Sequence, residues 1–319
     1  MMTLLPPPMI RRVAGGLIIT ILGLADTVGA RVTDTRGTSG LCQAVEVPRS
    51  IEHRYTVAAR VRPFLVWTRR YDVGRGRFLA SEEPAGVRRL ELLIGTDPDR
   101  APMHINRWGY VAETICGNNA ELIGLMTGAD EETIDEARTA LAIDRPGHSY
   151  KAIRTRLMQG EASTEILRLS TAEYFTYRNL NDILGQLPAS GVARRSQVPA
   201  GTESGFLVAI TSLLGESVEQ YRVSGRMGGG SSRVYLYGGG LFSLTLHAST
   251  LRPTLQINDR TYSSAIESDF EIRNMSTRTR TDFQITYGTG VNQDVPLRMV
   301  YRPRWWLELE LQLDSSVGG

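Results

Sequence analysis

The sequence predicts an α+β protein that is predominantly antiparallel β, with a C-terminal curved sheet or half-barrel and a smaller mixed N-terminal region. Three observations carry this. In Phe242-Ser243-Leu244-Thr245-Leu246-His247 and in Asp282-Phe283-Gln284-Ile285-Thr286-Tyr287 apolar and polar residues alternate, the period of a strand with one buried face. Asn258-Asp259 stands between Leu255-Gln256-Ile257 and Arg260-Thr261-Tyr262, a tight-hairpin pattern. At the C-terminal end Trp305, Leu307, Leu309, Leu311 and Leu313 point one way, while Trp306, Glu308, Glu310, Gln312 and Asp314 point the other.

Taken from the N-terminus, residues 1–30 have the order of a secretory leader. Arg11 and Arg12 precede an apolar run, Val13 to Ala25, and the small residues of Val28-Gly29-Ala30 suit signal peptidase. The run is short of the roughly twenty residues a membrane-spanning helix needs, so cleavage near Ala30 is expected rather than a permanent anchor. The twin arginine reads as an ordinary positive n-region. Met1 to Met9, with Pro6-Pro7-Pro8, adds nothing to an export signal, which makes Met9 a candidate start. The expected location is the periplasm or beyond.

Residues 31–50, rich in Thr, Gly, Arg and Ser, read as a flexible lead-in. Residues 51–200 read as the mixed region, with strands near Arg54–Arg62, Val87–Ile94 and Trp108–Ile115. Asn118-Asn119 then offers an N-cap for a helix over Ala120–Met126. Asp130-Glu131-Glu132 loads the first turn of another, ending near Ala142, with the acidic groups the helix dipole favours. Between Gly147 and Gly201 short strands are expected around a helix near Thr171–Leu187, with Pro188-Ala189-Ser190-Gly191 as a surface link. Residues 201–319 read as the β-rich domain, opened by a short buried helix over Phe206–Leu214.

Roughly 290 residues remain after the leader, enough for one large or two ordinary domains. With 41% hydrophobic residues, 22% charged and a net charge of +2, no overall field attracts nucleic acid or an anionic membrane. Cys42 and Cys116 form an even count in an oxidising compartment, which makes one disulfide between them an expectation; an inert buried thiol at Cys116 is the other reading. An outer-membrane barrel needs many strands of about ten residues and aromatic girdles. The chain ends Ser315-Ser316-Val317-Gly318-Gly319, and a soluble sheet is expected over an integral membrane protein.

The run Val295-Pro296-Leu297-Arg298-Met299-Val300-Tyr301, the Arg302-Pro303 break and Trp305-Trp306-Leu307-Glu308-Leu309 resemble the closing strand pair of uncharacterised bacterial envelope proteins with a lipoprotein-carrier-like half-barrel. The resemblance covers about the last hundred residues. It implies a curved sheet that holds apolar material or acts beside a membrane, with lipid or an envelope protein as partner, and it carries over no catalytic residues.

Chemistry-bearing motifs are sparse. Gly147-His148-Ser149-Tyr150-Lys151 begins like a nucleophile elbow, but Lys151 fills the place where the turn requires a small residue. His53, His104, His148 and His247 have no metal-ligand spacing, and no metal or cofactor is expected. His247 falls on the polar parity of its strand and is expected in solvent. Gly228-Gly229-Gly230 and Gly238-Gly239-Gly240 read as turns, because neither leads into a helix with the Lys-Ser/Thr of a phosphate loop. The densest polar stretch runs from Asp97 to Arg107. There Asp97, Asp99 and His104 are the candidate acid–base residues of a hydrolase, against an Asx-turn at Asp97-Pro98 with Arg100 pairing to a carboxylate. The other function class is a non-catalytic envelope protein that binds an apolar ligand through Trp305, Leu307, Leu309 and Leu311. On the alternation alone, Leu309→Ala costs about 2–5 kcal/mol and Glu310→Ala stays within roughly 0.5 kcal/mol.

Overall fold

The computed structural model describes residues 49–62, 67–83, 86–101, 104, 106–127, 148–171, 175–289, 295–305 and 307–314. The leader, most of the lead-in with Cys42, the helix expected from Asp130 to Ala142, Trp306 and the last five residues lie outside them.

The described strands form one antiparallel sheet. They are β1 (Arg49–Val61), β2 (Thr68–Glu82), β3 (Val87–Thr96), β4 (Trp108–Cys116), β5 (Asn119–Met126), β6 (His148–Met158), β7 (Glu161–Thr171), β8 (Val192–Gln197), β9 (Ser232–Tyr237), β10 (Gly240–Ile257), β11 (Arg260–Asn274), β12 (Arg280–Gly288), β13 (Pro296–Arg304) and β14 (Leu307–Leu313). Their spatial order is β8-β7-β6-β5-β4-β3-β2-β1-β14-β13-β12-β11-β10-β9, two meanders joined where β1 pairs with β14. Tight turns set the register. Gln159-Gly160 and Gly238-Gly239 have positive φ at both residues, the conformation of a two-residue hairpin loop that matches strand twist. Asn258, at φ 51°, turns β10 into β11 as the sequence predicts.

Among the described residues the expected mixed N-terminal region is almost all strand, so α+β gives way to a predominantly antiparallel β fold with few helices. The clearest correction is at Ala120–Met126, expected as a helix and found as β5. Gly117-Asn118 is a two-residue loop with Gly117 at φ 59°, and it places Asn119 opposite Cys116. A run of seven residues, apolar but for Glu121, has no periodicity strong enough to decide its own state. Pairing with β4 on one side and β6 on the other decides it.

A 3₁₀ turn (Tyr177–Asn179) leads into helix α1 (Leu180–Gln186), shorter than the segment predicted from Thr171. Helix α2 (Phe206–Ser224) is longer than its predicted span and ends at Gly225, which at φ 66° donates its N–H to the Tyr221 carbonyl.

The sheet curls around α2. Phe206, Leu207, Ile210, Leu213 and Val218 of this helix share one core with Leu90 and Val111 from one meander and Tyr235, Phe242, Leu244, Phe270 and Phe283 from the other. On the convex side α1 and Phe175 cover Leu93, Trp108, Tyr110, Leu125, Tyr150 and Leu167. The second half of β9 is buried on both faces. Tyr235 belongs to the α2 core, whereas Leu236 packs on Ala120, Leu122, Leu157 and Ala162 of β5–β7. The curved open sheet therefore overlaps itself, with the β9 edge inside. Glu203 covers that edge by donating its N–H to Val234 and accepting from Leu236, so β9 offers no open edge along this stretch.

Candidate functional site

The concave face beside α2 is the candidate site, and β14 supplies one wall. Leu307, Leu309, Leu311 and Leu313 share the parity of Tyr55, Val57, Ala59 and Val61 on β1 and face inward. Leu311 is buried against Tyr55 and Val57. Leu307, Leu309 and Leu313 are half-buried, as are Met299 of β13, Phe78 and Ala80 of β2, Leu92 of β3 and Val208 of α2. The result is a partly open apolar surface between helix and sheet. Gly76 helps to make it, because a Cβ there would stand 3.2 Å from both Leu311 Cδ2 and Tyr55 Cβ. His53 lies parallel to Phe78 with ring centroids 6.5 Å apart, and burial lowers its pKa, which keeps the imidazole neutral on this surface.

Trp305 does not belong to this wall. It sits in the turn before β14 and is 69% exposed, so of the four predicted ligand contacts the three leucines come together and the tryptophan does not.

The opposite parity of β14 departs further from expectation. Glu308 and Glu310, expected in solvent, are 3% and 2% exposed on the convex face. Glu308 accepts hydrogen bonds from Arg60 (2.8 Å) and Arg302 (2.6 Å). Glu310 accepts from Arg69 (2.5 Å), Arg298 (2.7 Å) and Gln312 (2.8 Å). Arginines from β1, β2 and β13 lie across the carboxylates and exclude water from them, a cover that alternation within one strand cannot reveal. Burial alone would raise the Glu308 carboxyl, but the bonds from Arg302 and Arg60 outweigh it and hold the group below its ordinary value.

Deep in the concave side stands a carboxylate that the sequence reading missed. Glu113 of β4 is fully buried and accepts the backbone N–H groups of Leu207 (2.7 Å) and Val208 (3.0 Å), capping α2 from a neighbouring strand. Gly205 makes room for it, since a Cβ there would lie 2.3 Å from the carboxylate carbon. Desolvation pushes the Glu113 carboxyl up to about 7, and the two backbone bonds pull the other way. Tyr235 and Tyr237, whose buried hydroxyls have no hydrogen-bond partner among the described residues, are raised by burial and then by the Glu113 charge. The available signal was parity. Glu113 occupies the inward position of a strand otherwise read there as Gly109, Val111 and Ile115.

The Asp97–Arg107 loop joins β3 to β4 at the sheet's end, and its Ala101 is buried in one cluster with Tyr55, Val57 and Leu311. Asp97 is buried, pairs with Arg178 (2.5 Å) and Arg100 (3.8 Å), and accepts the Asp99 N–H (3.2 Å), the Asx-turn geometry. Arg100 also pairs with Asp72, which binds Arg75 in turn. Asp99 is exposed. His104 donates Nδ1–H to the Pro98 carbonyl (2.9 Å) and forms no ion pair with Asp97 or Asp99 among the described residues. Asn106 is buried and donates to the Phe175 carbonyl (2.8 Å), which ties the loop to the cover of the convex core. His247 is exposed, with Nε2 3.9 Å from Glu271. Cys116 is half-buried at the end of β4, and the described residues contain no free cysteine.

No family model matches the chain, and no curated protein matches it. Among solved structures it is similar to a β-barrel-like protein of the domain of unknown function DUF1849 from Brucella abortus. The two share 9% sequence identity and a TM-score of 0.42 over 84% of this chain and 98% of that one.

Proposed function

We propose that the protein is a non-catalytic, exported envelope protein that holds an apolar ligand on the concave face of its sheet. One observation supports this above the others. Phe78, Ala80, Leu92, Met299 and Leu309 are apolar side chains that pack against the α2 core yet stay only partly buried. A monomeric soluble protein gains stability by burying such a surface, and a partly open apolar concavity with few polar groups is the usual form of a ligand site.

The test is binding of a fluorescent fatty-acid probe to the purified protein, with Leu309→Glu and Met299→Glu as site variants. The expected result is saturable binding that each variant weakens about tenfold or more, because a carboxylate must be desolvated where the chain packs. Absence of saturable binding, or binding indifferent to both variants, overturns the proposal.

Export is proposed from the leader, and the Cys42–Cys116 bond from the even cysteine count in that compartment. A single measurement checks both. The intact mass of unreduced protein recovered from its native host should correspond to a chain beginning at Arg31 and lighter by the two hydrogens that a disulfide removes. A mass that includes residues 9–30 defeats cleavage, and a full complement of thiol hydrogens defeats the bond.

A further inference from the structure

β1 pairs with both β2 and β14, and β14 with β13, so the start of β2 and the turn between β13 and β14 lie side by side at one end of the sheet. On the convex face there, register assembles arginines remote in sequence: Arg60 on β1 and Arg62 just after it, Arg69 on β2, Arg298 and Arg302 on β13. Arg60 and Arg62 lie 5.5 and 6.0 Å from the Trp67 ring centroid, and Arg69 lies 4.5 Å from that of Tyr71. Four guanidinium groups share the two carboxylates of Glu308 and Glu310, and the fifth, Arg62, has no carboxylate partner among the described residues. Among the described residues the two exposed large aromatic side chains, Tyr71 at 66% and Trp305 at 69%, both stand at this end.

Exposed Trp and Tyr beside incompletely neutralised arginines match the chemistry of a bilayer headgroup layer. Rings with an apolar body and a polar edge settle at that depth, and guanidinium groups pair with lipid phosphates in a bidentate manner. We propose that this end of the sheet docks peripherally on an anionic lipid surface, with Trp305 and Tyr71 at headgroup depth and Arg62, Arg69 and Arg302 against phosphates. A second copy is the poorer occupant, because a two-fold interface would set this arginine cluster against itself. The overall charge of +2 does not register the patch, since the field felt at a surface within a Debye length is local.

Flotation of the purified protein with vesicles decides it. Binding is expected to phosphatidylcholine vesicles containing phosphatidylglycerol, above that to phosphatidylcholine alone, and to fall as salt rises. Arg62→Gln should weaken it about fivefold. Trp305→Ser with Tyr71→Ser should weaken it about tenfold or more, through lost aromatic burial. These side chains lie outside the core, so melting temperatures should stay near that of the wild type, and Val223→Ser on the exposed side of α2 should leave binding unchanged. Equal binding to both vesicle types, or binding untouched by the double variant, overturns the proposal. So does sedimentation showing self-association through the patch in place of vesicle binding.

Discussion

Glu113→Ala is expected to destabilise the protein by about 2–6 kcal/mol, since it leaves the buried N–H groups of Leu207 and Val208 without an acceptor at roughly 1–3 kcal/mol each. Residues 206–210 carry much of the contact between α2 and the sheet, so the helix should loosen with its cap. The wild type should also show a pH dependence of definite sign. The folded carboxyl titrates near 7, above its unfolded value of 4.5. Between those limits the folded state holds a proton that the unfolded chain has released. The stabilisation is therefore complete below about 4.5 and is lost as pH rises through about 7, at roughly 1.4 kcal/mol per unit in that window. Glu113→Gln cannot titrate and should flatten this slope while destabilising less than alanine does. Glu308 acts in the opposite sense and elsewhere. Its carboxyl is depressed, so its stabilisation is present above the unfolded value and is lost only as pH falls below it. Denaturant melts at pH values on either side of 6 check the claim, and the same slope in wild type and Glu113→Gln would refute it.

Leu311→Ala should cost about 2–5 kcal/mol, the range for a buried leucine whose site cannot collapse. The neighbouring Glu310→Ala should cost about 2 kcal/mol, far more than strand alternation allows, because it removes charge-assisted hydrogen bonds from Arg69 and Arg298. Both arginines are a third exposed and can return to water, which keeps the cost below that of an abandoned buried charge. Trp305→Ala, in the open turn, should stay within roughly 0.5 kcal/mol. Thermal melts of the three variants rank them, and a Glu310→Ala variant as stable as Trp305→Ala would mean that the arginine cover contributes nothing.

The strands from Tyr221 onward, the turn at Asn258-Asp259 and the inward parity of the β14 leucines were legible because each is a local property. Successive side chains on extended backbone point to opposite faces, and a two-residue loop selects its own residues. Strands β1, β3 and β4 were legible for the same reason. β2 was not, since Gly74, Gly76 and a bulge at the irregular register opposite Val57 and Ala59 blur its alternation.

What the sequence by itself determined is which segments extend and which of their two faces is apolar. Only the tertiary structure decided what lies against each face. Ala120–Met126 is strand because β4 and β6 flank it, and α2 begins where Glu113, remote in sequence, accepts its first N–H groups. Glu308 and Glu310 are buried because arginines from three other strands cross over them. Periodicity sorts residues between two sides. Burial and electrostatics are sums over neighbours far apart along the chain, and those neighbours meet only once the strands have paired.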